Sequence, residues 1–272
     1  MAINNTSPRF KFGKNWGNFI RKLSAVQIQE AEQSLINALG VSSFAGKKFL
    51  DVGSGSGLFS LAAMRLNAER VHSFDYDSDS VACARELKRR YFPDDPRWMI
   101  EQGDALDTPY VESLGEWDIV YSWGVLHHTG DMYLALDNAA QLVKASGRLF
   151  IAIYNDQGRK SEAWTSIKKF YSKSPLIIQW LMASGYFLFL GSMAFIRDTL
   201  FLRPLATFRN YHSLRGMNFW TDVVDWIGGY PFEVASPEKI FEFYRQRGFV
   251  LTYLKTVQGK LGNNEFVFFK QD

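Results

Sequence analysis

The sequence has 272 residues, 47% hydrophobic and 22% charged, which excludes a disordered or fibrous chain and allows a sizeable buried core. Its length exceeds one minimal domain and falls short of two, so one core with a large insertion is expected. Net charge is +3, unevenly spread: residues 46–156 hold 11 basic against 17 acidic side chains, and residues 157–217 hold 9 against 2.

Met1–Phe10 has no apolar h-region, so no secretory signal is expected and the chain is placed in the cytoplasm. The one cysteine, Cys83, excludes a disulfide framework or a cysteine-built zinc site and fits a reducing compartment. From Lys48 the chain alternates short apolar runs with helical stretches. Lys48–Val52 reads as a strand ending in glycines, Leu58–Leu66 as helix, Arg70–Asp75 as strand and Ser80–Tyr91 as helix. Trp98–Gln102 and Trp117–Ser122 read as strands, Tyr133–Val143 as helix and Arg148–Tyr154 as strand. Strands separated by helices imply βαβ units and a mostly parallel sheet. The pattern stops at Asn155 and resumes at Ser236, where an N-cap and Pro237 start a helix through Arg247. Phe249–Val257 and Glu265–Lys270 follow as two strands. The expected division is a helical cap over 1–45, a core over 46–156, an insertion with a substrate loop over 157–235, and a closing segment over 236–272.

The strongest chemical signal is Asp51-Val52-Gly53-Ser54-Gly55-Ser56-Gly57. Glycines after a first strand let the chain turn tightly and let a ligand approach the backbone at the next helix N-terminus. A ligand-free tight turn would use the same residues. A dinucleotide fingerprint fails, because its third glycine falls on Leu58, or on Ser60 when counted from Gly55. No Gly-Lys-Ser/Thr follows, so the phosphate loop fails too. A second acid, Asp75, ends the next strand and can take both hydroxyls of a ribose.

With these motifs, residues 47–156 resemble the class I S-adenosylmethionine-dependent methyltransferases, and the two C-terminal strands resemble them more weakly. The resemblance implies a Rossmann-like α/β fold: a seven-stranded, mostly parallel sheet, last strand antiparallel, with a helical lid insertion. It implies S-adenosylmethionine as cofactor. Gly53, Ser54, Gly55 and Gly57 would meet its methionine part, Asp75 its ribose, and Gly103-Asp104-Ala105 its adenine, with Asp51, Tyr76 and Ser122 also at the cofactor. Phe10-Lys11-Phe12-Gly13-Lys14-Asn15-Trp16 is similar to the N-terminal segment of a bacterial subgroup near the ubiquinone-pathway quinol O-methyltransferases. There Trp16 would cap the cofactor; an aromatic staple onto the sheet is the alternative.

Methyl transfer from a sulfonium is an in-line displacement, to which an enzyme adds positioning and usually a base. The fourth strand ends in Trp123-Gly124-Val125-Leu126-His127-His128, at the carboxyl edge where ligands bind in open α/β sheets. Similar enzymes put the second histidine of Leu-His-His at the site, so His128 is the candidate base; a helix cap or simple packing is the alternative. His127 reads as structural or as a substrate contact. No metal is expected, because adjacent histidines on a helix should splay apart. Ser122-Trp123-Gly124-Val125 replaces the Asn/Asp-Pro-Pro-aromatic stretch of exocyclic-nitrogen nucleobase methylases. Cys83 lies on the wrong helix for cytosine C5 chemistry.

Between Lys173 and Arg197 run 23 uncharged residues, long enough to span a bilayer. A single crossing would divide the sheet, so the run is expected to break at Ser184-Gly185 and Gly191-Ser192 into two shorter helices. Three readings stay open. One is a lid on the active edge, the second an interfacial element facing anionic lipid across residues 168–203, and the third, ranked last, a nucleic-acid surface. Next, Tyr211 and Arg215 and a shaped loop over Asp222–Glu233 supply substrate candidates: Tyr211, Arg215, Asp225 and Glu233, the last two also readable as turn and cap partners. The expected acceptor is a small or lipid-linked metabolite, methylated on oxygen before nitrogen, with no DNA partner and RNA disfavoured. An RNA methyltransferase or a non-catalytic S-adenosylmethionine-binding protein are the alternatives. The expected location is the cytoplasm, with peripheral contact at the inner membrane face under the interfacial reading.

Overall fold

The structure, a computed structural model, describes residues 13–201, 205, 207 and 219–272, with the side chains of Lys14 and Thr221 left aside. Tyr211 and Arg215 therefore lie outside the described residues. The described chain divides into two units, one of residues 13–161 and 233–272 and one within residues 162–232.

The larger unit is built on a seven-stranded sheet. Its strands are β1 (Lys48–Val52), β2 (Arg70–Asp75), β3 (Trp98–Gln102), β4 (Trp117–Trp123), β5 (Val143–Tyr154), β6 (Phe249–Lys255) and β7 (Asn263–Lys270), in the order β3-β2-β1-β4-β5-β7-β6. β1 to β5 are parallel, and β7 runs antiparallel to both β5 and β6. The expected sheet is therefore found, with its last strand antiparallel. The chain order reverses between β1 and β4, which places a crevice at their carboxyl ends. Central strands are buried on both faces because helices cover the sheet from either side. Every residue from Phe49 to Val52 and from Trp117 to Ser122 is buried.

Two hydrophobic clusters flank the sheet. One packs α6 (Met132–Gln141) and α10 (Pro237–Arg245) through Leu136, Ile240 and Tyr244. The other packs α2 (Ala25–Leu39) and α3 (Leu58–Arg65) through Ile28, Leu35 and Leu61. Local chemistry sets the helix ends. Ser24 and Gln27 form a capping box at α2, and Gly40 closes it at φ 65°. Ser236 caps α10 ahead of Pro237. The short helix α5 (Thr108–Ser113) was not anticipated, although Asp107 followed by Thr108-Pro109 carries its start signal. α1 (Gly13–Arg21) begins against α4 (Ser78–Tyr91), where the Gly13 amide donates to Asp77 Oδ2 at 2.9 Å.

Within residues 162–232 lie most of α7 (Arg159–Lys173), then α8 (Leu176–Leu200) and α9 (Phe219–Gly228). Two expectations are corrected here. The apolar run forms one continuous helix of 25 residues rather than two short ones. A glycine inside a helix costs about 1 kcal/mol against alanine, too little to break one flanked by Leu, Ile, Met and Phe. Ser192 stays in register by donating its hydroxyl to the Phe189 carbonyl at 2.8 Å. Residues 222–228 are helical rather than a loop. Val223 and Ile227, four apart on one side of α9, are buried.

Candidate active site

The turn after β1 needs glycine on conformational grounds: Gly53, Gly55 and Gly57 sit at φ 76°, 53° and 80°. It is equally constrained by space. A Cβ on Gly53 would lie 2.3 Å from Val125, and one on Gly55 would lie 3.1 Å from the Trp16 indole nitrogen. Thus Trp16 on α1 covers the turn and Val125, from the loop after β4, presses against it. The N-terminal tryptophan and the fourth-strand loop are brought to one place.

Carboxylates hold the turn from two sides. Asp75, at the end of β2, accepts hydrogen bonds from the Gly55 amide at 2.9 Å and the Asp77 amide at 2.8 Å. Burial raises its pKa to about 6 against those two bonds. A carboxylate has about four lone-pair sites, so two amides leave room for a diol. Asp51 lies beneath the turn, 2% exposed. It ends a buried chain in which Trp98 Nε1 donates to Ser73 Oγ at 2.8 Å, Ser73 to Ser60 at 2.6 Å, and Ser60 to Asp51 at 2.5 Å. Burial pushes the Asp51 pKa up to about 7, partly offset by the Ser60 bond. Ser122 is likewise turned inward, donating to the Val52 carbonyl at 2.9 Å. Of the residues expected to bind cofactor, Asp51 and Ser122 thus support the turn from below.

The remaining residues expected at the cofactor lie at the neighbouring strand ends. Among the described residues the buried Ser54 hydroxyl has no hydrogen-bond partner, an arrangement that costs stability. The Gly103 amide donates to the Asp75 carbonyl at 3.1 Å, and the Tyr110 ring fills the space a side chain at Gly103 would need. Asp104 accepts from the Leu106 amide, and the Ala105 carbonyl accepts from Asn138 Nδ2 at 2.8 Å. Tyr76 is 54% exposed beside them. An unpaired hydroxyl in the glycine turn, an acid with spare acceptor sites one strand over, and the Gly103-Asp104-Ala105 segment just after the third strand are compatible with an amino-acid end, a ribose and a base. Those are the parts of S-adenosylmethionine.

His127 and His128 occupy one 3-10 turn, Leu126–His128. Their ring centroids are 4.5 Å apart, and both meet Tyr154 at the end of β5, at 4.2 Å and 5.5 Å. They do not splay apart as expected, because a single turn does not impose α-helical side-chain directions. His127 is fully buried, whereas His128 is half-buried. Glu233 serves as a cap: its carboxylate accepts from the Gly130 and Met132 amides at 3.0 Å and 3.1 Å, where α6 begins. Burial raises its pKa, and the two amides oppose the rise. Burial lowers the pKa of Lys168 on α7, and the charge of Asp225 on α9 opposes that fall. Tyr154 went unnoticed in the sequence. The rule that ligands bind at strand carboxyl ends could have found it.

Residues 43–186, more than half of the chain, match the family model described as a methyltransferase domain. The chain is 28% identical over 124 residues to a 27-O-demethylrifamycin SV methyltransferase of Amycolatopsis mediterranei, covering 44% of each protein. It is 41% identical over 76 residues to a ribosomal protein L11 methyltransferase of Bacillus subtilis, covering 28% of this chain and 22% of that one. The matches thus span less than half the length of these relatives. Among solved structures, the magnesium protoporphyrin IX methyltransferase of Synechocystis PCC 6803 with bound SAH superposes with a TM-score of 0.54 at 12% identity, covering 95% of this chain and 94% of that one. Such a likeness speaks for the fold. Glycine turn, sheet order and family match agree, and the chain belongs to the methyltransferase-domain family, within the class I S-adenosylmethionine-dependent superfamily.

Proposed function

We propose that this protein methylates an oxygen of a small or lipid-linked metabolite, with His128 as the base. The observation that carries the cofactor part is the glycine turn, held by Asp75 at Gly55, roofed by Trp16 and left with an unpaired Ser54 hydroxyl. When bound, S-adenosylmethionine would supply an electrophilic methyl group, its carbon–sulfur bond breaking so that the sulfonium departs as a neutral thioether. The chain's own residues do the rest. Gly53–Gly57 present backbone to the amino-acid end, and Asp75 accepts from the ribose hydroxyls. His128 accepts the proton that the acceptor hydroxyl loses as its oxygen gains the methyl carbon. The placement of His128 is supported by Val125, three residues earlier, which packs on Gly53. The acceptor class is supported by Ser122-Trp123-Gly124-Val125 standing where nucleobase methylases carry their motif, by the apolar run over 174–196 and by the histidine after β4.

A protein acceptor is the second reading, favoured by the Bacillus subtilis relative, which is named for ribosomal protein L11. One experiment separates the two. Purified protein is incubated with cell extract and methyl-labelled S-adenosylmethionine, and the extract is then fractionated into metabolites, lipids, RNA and protein. Label in metabolites or lipids on oxygen is the expected result. Label in a protein band moves the assignment to the second reading, and label in RNA overturns both.

A further inference from the structure

We infer that α8 is a membrane-surface element, lying in the plane of a bilayer with anionic headgroups and its apolar side in the acyl region. The inference is independent of what the acceptor is. Three observations carry it.

First, α8 is long and apolar but unburied. Over its 25 residues the most hydropathic window is only 6% buried, so it is not a core helix. Ile177, Leu181, Leu188 and Phe195 follow one line along the helix and are 73%, 55%, 68% and 52% exposed. With 1.5 Å of rise per residue that stripe runs for about 27 Å. An exposed apolar surface of this length marks a partner or membrane site.

Second, the opposite side of α8 is already occupied. Ala183 is buried with Ile227 of α9, and the Phe187 ring lies 4.9 Å from Phe219 and 5.5 Å from Trp220. The stripe is therefore the side left over once α8 has made its own contacts. The flanking charge suits anionic lipid. Residues 157–217 hold 9 basic and 2 acidic side chains; of the basic ones Lys168 is buried, whereas Lys169 and Lys173, at the end of α7 just before α8, are exposed. Arg197 is 63% exposed but faces Asp198 at 3.5 Å, so it adds little. Each basic group near an anionic surface strengthens binding several-fold and does so less at high salt.

Third, topology excludes a single crossing. β5 precedes α8 and β7 follows it, yet Phe150 pairs with Val267 in one sheet. A lone span would put these strands on opposite sides of the bilayer. The described residues after α8 offer no second span: α9 has 10 residues, about 15 Å against a hydrocarbon core of about 30 Å. In-plane binding satisfies both the stripe and the sheet.

The test is flotation of the full chain with vesicles of phosphatidylglycerol and phosphatidylcholine, which separates lipid-bound protein from aggregates. The expected result is flotation with anionic vesicles at low salt, at least tenfold less with pure phosphatidylcholine, and release by 0.5 M salt (about a fourfold-to-fivefold shorter screening range than at 0.02 M). The double variant Leu188→Glu/Phe195→Glu should stay at the bottom with an unchanged unfolding midpoint. Trp180, 62% exposed on α8, gives a second readout through a blue shift of fluorescence on binding. Wild-type protein that does not float with anionic vesicles overturns the proposal. So does a wild-type dimer that becomes monomeric in the double variant, which would assign the stripe to a second copy of the chain.

Discussion

The Asp75 carboxylate accepts a hydrogen bond from the Gly55 amide at 2.9 Å, joining the end of β2 to the turn after β1. The residue that would bind the ribose therefore also sets the shape of the turn that would bind the amino-acid end. Its protonation state bears on both.

Asp75→Ala should weaken S-adenosylmethionine binding about a hundredfold, since a charge-assisted hydrogen-bond pair is worth roughly 2–3 kcal/mol. Burial places the Asp75 pKa at about 6. Below that value the group is protonated and has lost acceptor capacity, so affinity should be flat above pH 7 and fall as pH drops through 6. Calorimetry across this range checks both. A variant that titrates like the wild type would remove Asp75 from the site.

Gly55→Ala should cost cofactor affinity at least tenfold. It places a side chain at φ 53° and 3.1 Å from the Trp16 indole, and the left-handed backbone alone costs about 1–2 kcal/mol. Gly115→Ala is the control, with φ 67° but open space around it. It should lower stability by about 1 kcal/mol and leave affinity unchanged. Equal affinities in the two variants would mean that Trp16 does not roof the cofactor.

His128→Ala should lower kcat by about two to four orders of magnitude, the usual contribution of a general base. The dissociation constant of S-adenosylmethionine should stay within about twofold, and so should the unfolding midpoint. His127→Ala, at a fully buried ring beside Tyr154, should instead lower stability by about 1–3 kcal/mol. Stopped assays on both variants, with thermal melts, separate the chemical role from the packing role.

Lys168 is almost fully buried. Its ammonium donates to the Trp226 carbonyl and lies 4.0 Å and 4.8 Å from the centres of the Trp226 and Phe232 rings. Burial lowers its pKa to about 7 against the pull of Asp225. Between pH 7 and about 10 the unfolded chain then holds a proton that the folded one lacks, so stability rises with pH there. Lys168→Met should flatten that rise in denaturant titrations at pH 6.5, 8 and 9.5. An unchanged slope would show that Lys168 does not titrate in this range.

Much of the architecture was legible because its causes are local. Alternating apolar runs specify strands and helices, and positive-φ glycines specify where a strand must turn. Ligands collect at strand carboxyl ends, so Gly53 and Asp75 could be singled out from their positions, whereas Asp104 and His128 could be named only through the family resemblance. Tertiary structure decided what spacing does not encode: which polar group each side chain meets. Glu233 caps a turn that lies 103 positions earlier in the chain, and Ser122 bonds to a carbonyl 70 positions away. Asp51 is sealed beneath the turn it precedes, by serines on α3 and β2. Single glycines were too weak to break α8 once the surrounding residues favoured helix, and only packing shows which of its sides α9 covers. Hydrogen-bond partners and buried faces come from distant segments meeting, and no local pattern carries that information.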